Sequence, residues 1–147
     1  SSVAIVYFLT RDDDYLAVSE FVESLKKKKL RVKAMGYVRD KHLTHKYLPK
    51  LTYDFFYDKD VNWYGKPGGN YVKDFLEKPF DVLIDLSNGD SLPIKYITAK
   101  SNARFKVGRF KSENQSLYDL MIKQDNMNNL QSFIAEVEHY LTIINNQ

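Results

Sequence analysis

Phe80-Asp81-Val82-Leu83-Ile84-Asp85-Leu86-Ser87-Asn88-Gly89-Asp90 runs apolar on both strand faces, through Val82, Leu83, Ile84 and Leu86, and then stops in a polar turn. A strand that is apolar on both faces suits the middle of a parallel sheet covered by helices on two sides. Ser87-Asn88-Gly89-Asp90 supplies turn residues, and Ser91-Leu92-Pro93 offers a cap and a first-turn proline to a following helix. Open α/β folds place ligands at the carboxyl ends of such strands. Asp85, Ser87, Asn88 and Asp90 are therefore candidate binding residues.

The flanking sequence repeats the unit. Residues 3–9 read as a second central strand, ended by Thr10, which can cap the next helix. Over 12–29 the apolar positions Leu16, Val18, Phe21, Val22 and Leu25 recur at helical spacing, with acids in the first turn and Lys26 to Lys29 in the last, both matching the helix dipole. Residues 31–38 form the next strand, and the helix-length crossover makes it parallel to the first. A short aromatic strand is expected over 53–57. A helix is expected over 71–78, with Val72, Phe75 and Leu76 facing inward, and another over 93–100. A fifth strand over 104–110, with Gly108 as its bulge, precedes a sixth over 117–122. The last helix carries Leu130, Phe133, Ile134, Val137, Leu141 and Ile144 on one face and is capped by Asn128 or Asn129. Alternating units of this kind predict an α/β fold: a doubly wound, mainly parallel sheet of five or six strands with helices on both faces, a Rossmann-like three-layer sandwich in the order 3-2-1-4-5-6.

At 147 residues, 44% hydrophobic and 14% aromatic, the chain has the size of one domain, taken as 1–147. Its formal charge of +3 is small and dispersed, so nucleic acid is not an expected partner. There is no cysteine for disulfides or thiolate metal sites. No apolar run approaches a membrane span, and a soluble cytoplasmic protein is expected. The chain opens at Ser1-Ser2 without Met, which suggests that a native beginning is missing.

Tyr53-Asp54-Phe55-Phe56, Asp60-Val61-Asn62-Trp63-Tyr64-Gly65-Lys66-Pro67, Phe80 to Ser87 and Phe105-Lys106-Val107-Gly108-Arg109 together resemble a family of short, uncharacterised bacterial proteins. The resemblance spans nearly the whole chain. It implies a stand-alone α/β domain and supplies no catalytic residues; members of that family often begin with a short basic segment absent here. Phe80 to Ser87 followed by Ala103-Arg104-Phe105-Lys106-Val107-Gly108 is similar to a stretch in the amino-terminal domain of heptosyltransferase-type glycosyltransferases. That likeness implies the fold only, because those enzymes hold their nucleotide sugar largely through a second domain.

Several residues invite chemistry. The first strand ends in Thr10-Arg11-Asp12-Asp13-Asp14, without the glycines of a dinucleotide site and with carboxylates that would repel an anion. Asp12 and Asp13 with Asp85 or Asp90 would make a divalent-cation pocket of the receiver or phosphotransferase kind, with Lys111 as its lysine; the plainer reading is that the acids favour the helix terminus. Asp85, at the end of a buried strand, must be hydrogen-bonded, paired or shifted in pKa, and holding the 87–91 turn would satisfy it. Ser87 lacks the G-x-S-x-G setting and a histidine partner. His42 and His45 lack a third zinc ligand and read as surface histidines, as does His139. Trp63, with Asn62, Tyr64, Lys66 and Pro67, is either a recognition surface or a plug fastening the 58–70 loop to the core. The plug is expected for Trp63 and the surface for Asn62 and Lys66.

The expected function is thus a non-catalytic cytoplasmic domain that binds a protein partner or small ligand at the carboxyl edge of its sheet. The binding residues are Asp60, Asn62, Trp63 and Lys66 of the loop, and Asp85, Ser87, Asn88 and Asp90 of the turn. No catalytic residue, metal site or cofactor is assigned, and neither nucleic acid nor membrane is an expected partner. The alternative is an enzyme: a metal-dependent phosphoryl-transfer or hydrolase-like domain, or a glycosyltransferase-related half-domain.

Overall fold

The computed structural model describes residues 1–43, 46–124 and 129–145, the last three of these by backbone alone. In chain order the elements are β1 (Ser2–Leu9), α1 (Asp12–Lys27), β2 (Arg31–Val38), β3 (Tyr53–Tyr57), α2 (Asn70–Glu77), β4 (Val82–Asp85), α3 (Leu92–Lys100), β5 (Phe105–Arg109), β6 (Leu120–Ile122) and α4 (Leu130–Asn145). Six strands form one sheet in the order β3-β2-β1-β4-β5-β6, and each neighbouring pair is parallel. Ile5 pairs with Ile84 at the centre of the sheet. The expected Rossmann-like order is the observed one.

Residues alternate across β1 and so divide between two cores. Val3, Ile5, Tyr7 and Leu9 join Val18, Phe21, Val22 and Leu25 of α1 and Phe133, Ile134 and Val137 of α4. Ala4 and Val6 join Val72 and Phe75 of α2, Ile94 and Ile97 of α3, and Met35, Phe56 and Leu83 of the neighbouring strands. Burial on both faces is what a central parallel strand requires. It explains the unbroken apolar reading of residues 3–9 and 82–86.

Several local expectations change. Leu16 is exposed, and the inward positions of α1 are instead Asp14, Ala17, Val18, Phe21, Val22 and Leu25. Thr10 does not cap α1. Asp14 turns back and accepts bonds from the Thr10 hydroxyl (2.8 Å) and the Arg11 amide (3.1 Å), so the cap reaches backwards from inside the helix. At α3, Ser91 caps as expected, its hydroxyl accepting from the Ile94 amide, with a proline in the first turn. At α4, Asn129 Oδ1 accepts from the Ser132 amide at 2.7 Å; Asn128, the other candidate cap, lies outside the described residues, as does His45, and the Ile144 side chain is likewise not described. Gly108 is not a bulge, since it pairs in register with Met121.

Between β3 and α2 the chain is more ordered than its sequence suggests. A short 3-10 turn over Asp58–Asp60 leads into a tight excursion closed by an isolated bridge between Val61 and Pro67. Asn62 Oδ1 accepts from the Lys66 amide at 2.8 Å, and the Gly65 amide donates to the Asn62 carbonyl at 3.0 Å. No helix among the described residues is long and apolar enough to cross a membrane.

Candidate functional site

The β1 and β4 ends lie side by side, and their continuations leave in opposite directions around the sheet, β1 into α1 on one face and β4 into α3 on the other. That reversal opens a crevice at the carboxyl edge. The cleft measures about 360 Å³, with Thr10, Arg11, Ser87, Asn88, Arg109 and Asn129 among its lining residues.

Asp85 directly precedes Leu86 and Ser87, which line the cleft. The Asp85 side chain is buried, Oδ1 accepts from the Ser87 amide at 2.8 Å, and Oδ2 accepts from the Tyr118 hydroxyl. Burial pushes the Asp85 carboxyl above the usual aspartate range, opposed by the bonds from Ser87 and Tyr118 and by the Arg109 charge. Burial, followed by the Asp85 charge, likewise raises the Tyr118 phenol, keeping it a donor. Tyr118 reaches Asp85 across β5 because residue 108 has no side chain: a Cβ at Gly108 would sit 2.3 Å from Tyr118 Cε1.

The 87–90 turn is locked on all sides. Ser87 Oγ accepts from the Gly89 amide at 3.2 Å and Asn88 Oδ1 from the Asp90 amide at 3.0 Å. The buried Asn114 donates from Nδ2 to the Gly89 carbonyl at 3.0 Å. Gly89 has φ of 87°, a left-handed conformation that favours glycine. Asp90 pairs with Lys111, which holds its carboxyl below the usual range. Asp85 therefore does hold the turn, with donors supplied from residues far along the chain.

Arg109 is the group that faces the cleft with something left to bind. Its guanidinium carbon lies 4.6 Å from the centre of the Phe133 ring, a cation–π seat. Its Nε is buried without a hydrogen-bond partner among the described residues. Burial pulls its pKa down while the Asp85 charge pulls it up, but a guanidinium stays protonated throughout the working range.

Of the three acids that open α1, Asp12 and Asp14 are committed and Asp13 is exposed. Asp12 accepts from the Tyr47 hydroxyl and pairs with Lys46 at 3.1 Å, which together hold it below the usual range. Asp14 is the cap of α1. Among the described residues no group of three His, Cys, Asp or Glu is placed to hold a metal ion. His42 is exposed, its amide donating to Asp40 at 2.8 Å, and His139 is exposed with its ring edge on Tyr140.

The 58–70 loop does not line this cleft. It lies toward the α3 side, where a Cβ on Gly65 would meet Leu92 at 2.5 Å and Lys66 Nζ sits 5.8 Å from the Tyr96 ring centre. Asp60 accepts from the Tyr57 amide at 3.0 Å and, like Asn62, shapes the loop. Trp63 is not a plug: it is 93% exposed, edge-on to Tyr64. The loop closes through its own backbone and Asn62, so the indole has no packing task and stands out in solvent. The residues missed in the sequence are Arg109, Asn114 and Tyr118. One signal pointed to Tyr118: a buried aspartate demands donors, and the 85–91 turn supplies Asp85 with only the Ser87 amide.

A family model matches residues 1–144 of the chain. The chain belongs to a family of unknown function (DUF6913). A comparison with curated proteins finds no match. Among solved structures, the chain is similar to a glycosyl transferase family 9 protein from Veillonella parvula DSM 2008, with 15% identity and a TM-score of 0.56. The likeness covers 92% of this chain and 40% of the other, so this chain spans less than half the length of its relative. At that identity the likeness is one of fold.

Proposed function

We propose that this family member is a non-catalytic cytoplasmic α/β domain that binds a small ligand through an anionic group in the switch-point cleft. The observation that carries the reading is the buried, unpartnered Nε of Arg109 in a cleft at the β1/β4 reversal. A half-buried guanidinium with donors to spare recognises planar oxyanions such as carboxylate or phosphate, often bidentately. Ser87, Asn88 and the exposed Arg11 supply further polar contacts around it.

The non-catalytic reading rests on how the carboxylates are spent. Asp85 is held by Ser87 and Tyr118, Asp90 by Lys111, and Asp14 by the α1 cap. None of these is left as a base facing the cleft. The enzyme alternatives, metal-dependent phosphoryl transfer or a glycosyltransferase-related half, have correspondingly less support.

Thermal-shift titration at low salt with phosphate monoesters, dicarboxylates, nucleotide sugars and their neutral analogues tests the reading. Anionic members should raise the melting temperature and neutral ones should not. Arg109→Lys keeps a charge near Asp85 but loses the planar fork, and should weaken the response. No response to any anion, or an unchanged response in both Arg109→Lys and Arg11→Ala, would sink the proposal. Turnover of a phosphate ester or nucleotide sugar would replace it with the enzyme reading.

A further inference from the structure

Asn88 and Arg109 also line a second recess of about 430 Å³, bordered by the chain leaving β5 and β6 through Phe110, Lys111, Lys123 and Gln124 and by Asp90. Its size is within the range of small-molecule sites, roughly 300–1,000 Å³. Both Nε2 and Oε1 of Gln124 are buried without a partner among the described residues, as is Arg109 Nε. Unmet buried polar groups are costly, and here three such atoms belong to two side chains on one recess.

A carboxamide offers an acceptor and a donor side by side in one plane. Only a partner with the complementary pair in its own plane satisfies both at once, as a nucleobase edge does. Phe110, 43% exposed, offers an apolar ring on which a flat base can stack. Lys123 is exposed and Arg109 retains a donor, whereas Lys111 is already paired with Asp90. A peptide amide would also satisfy Gln124 but would leave the aromatic face and the cations unused.

We propose that this recess binds a free mononucleotide, with the base on Phe110, the base edge on Gln124 and the phosphate at Arg109. The phosphate contact rests on the anion reading above; the base contacts stand on Gln124 and Phe110 independently.

Calorimetric titration of the full chain with AMP, GMP, CMP and UMP, the matching nucleosides and inorganic phosphate tests it. At least one nucleotide should bind roughly tenfold or more tightly than inorganic phosphate. Gln124→Met keeps the side-chain length and removes the unmet atoms; it should abolish that gain while melting at or above the parent temperature. Phe110→Ala should reduce it as well. The proposal is overturned if no nucleotide exceeds phosphate, or if Gln124→Met binds like the parent. In the first case, persistent phosphate binding leaves the anion cleft standing and removes only the base site. Gln124-dependent nucleoside binding with no gain from the attached phosphate supports the base site and overturns the phosphate contact at Arg109. Stronger binding of oligonucleotides than of any mononucleotide would overturn the assignment in favour of a nucleic-acid strand.

Discussion

Replacing Gly108 with Ala should break the Tyr118–Asp85 contact with one atom. The new methyl carbon would lie 2.3 Å from Cε1 and 2.4 Å from Cζ of Tyr118, well inside the roughly 3.5–4.0 Å at which carbons pack. The strand cannot retreat, because β5 is bonded to β4 on one side and β6 on the other. The ring must move, and its hydroxyl then leaves Asp85. Overpacking costs about 1–3 kcal/mol, and a buried acceptor left without its donor costs about 1–3 kcal/mol. Against this, Ala gains about 0.5–1 kcal/mol over Gly in a strand. The net loss should be roughly 1–5.5 kcal/mol, read by urea unfolding monitored by circular dichroism. In a Tyr118→Leu background the methyl group meets less, and Gly108→Ala should cost under about 1 kcal/mol. An equal cost in both backgrounds, or a parent-like midpoint for the single variant, would refute the reasoning.

Trp63→Ala should leave the unfolding free energy within about 1 kcal/mol of the parent, because the indole is almost wholly exposed; a loss of about 3–5 kcal/mol would mean that the ring is packed. Asp14→Ala should cost about 1–2 kcal/mol, since one carboxylate holds the Thr10 hydroxyl and the Arg11 amide, and equal stability would show the cap to be idle. Burial raises the folded-state pKa of Asp85, so the stability it contributes is complete below its unfolded value of about 3.9 and is lost as pH rises through the folded one. Asp85→Asn should therefore show a smaller decline than the parent over that window, and parallel curves would refute the shift. Asp12, Asp81 and Asp90 are shifted downward, so their contribution is lost only as pH falls through their folded values, and it cancels between the two curves. Mg²⁺ or Mn²⁺ should leave the melting temperature unchanged, because Asp12 is engaged by Tyr47 and Lys46; a rise lost in Asp12→Asn would overturn this.

The site was legible in the sequence only where its logic was local. Ser87 to Asp90 announced a turn, and their short-range bonds are the ones that such residues make with their own backbone. Tyr118 and Arg109 read as ordinary strand-end residues because what matters about them is a neighbour tens of positions away. Trp63 was misread for a similar reason. Tryptophan is buried on average, but this loop closes through Asn62 and its own amides and needs no plug.

By itself, the sequence determined the layers and the strand order. Unbroken apolar runs over 3–9 and 82–86, with helix-length segments between strands, leave few ways to bury both sheet faces under right-handed crossovers. Only the tertiary structure decided what meets Asp85. Pattern fixes which face of an element is inward, but not which distant donor a buried carboxylate will find. That choice depended on the register of β5 against β4 and β6, and on the space left by the missing side chain at Gly108.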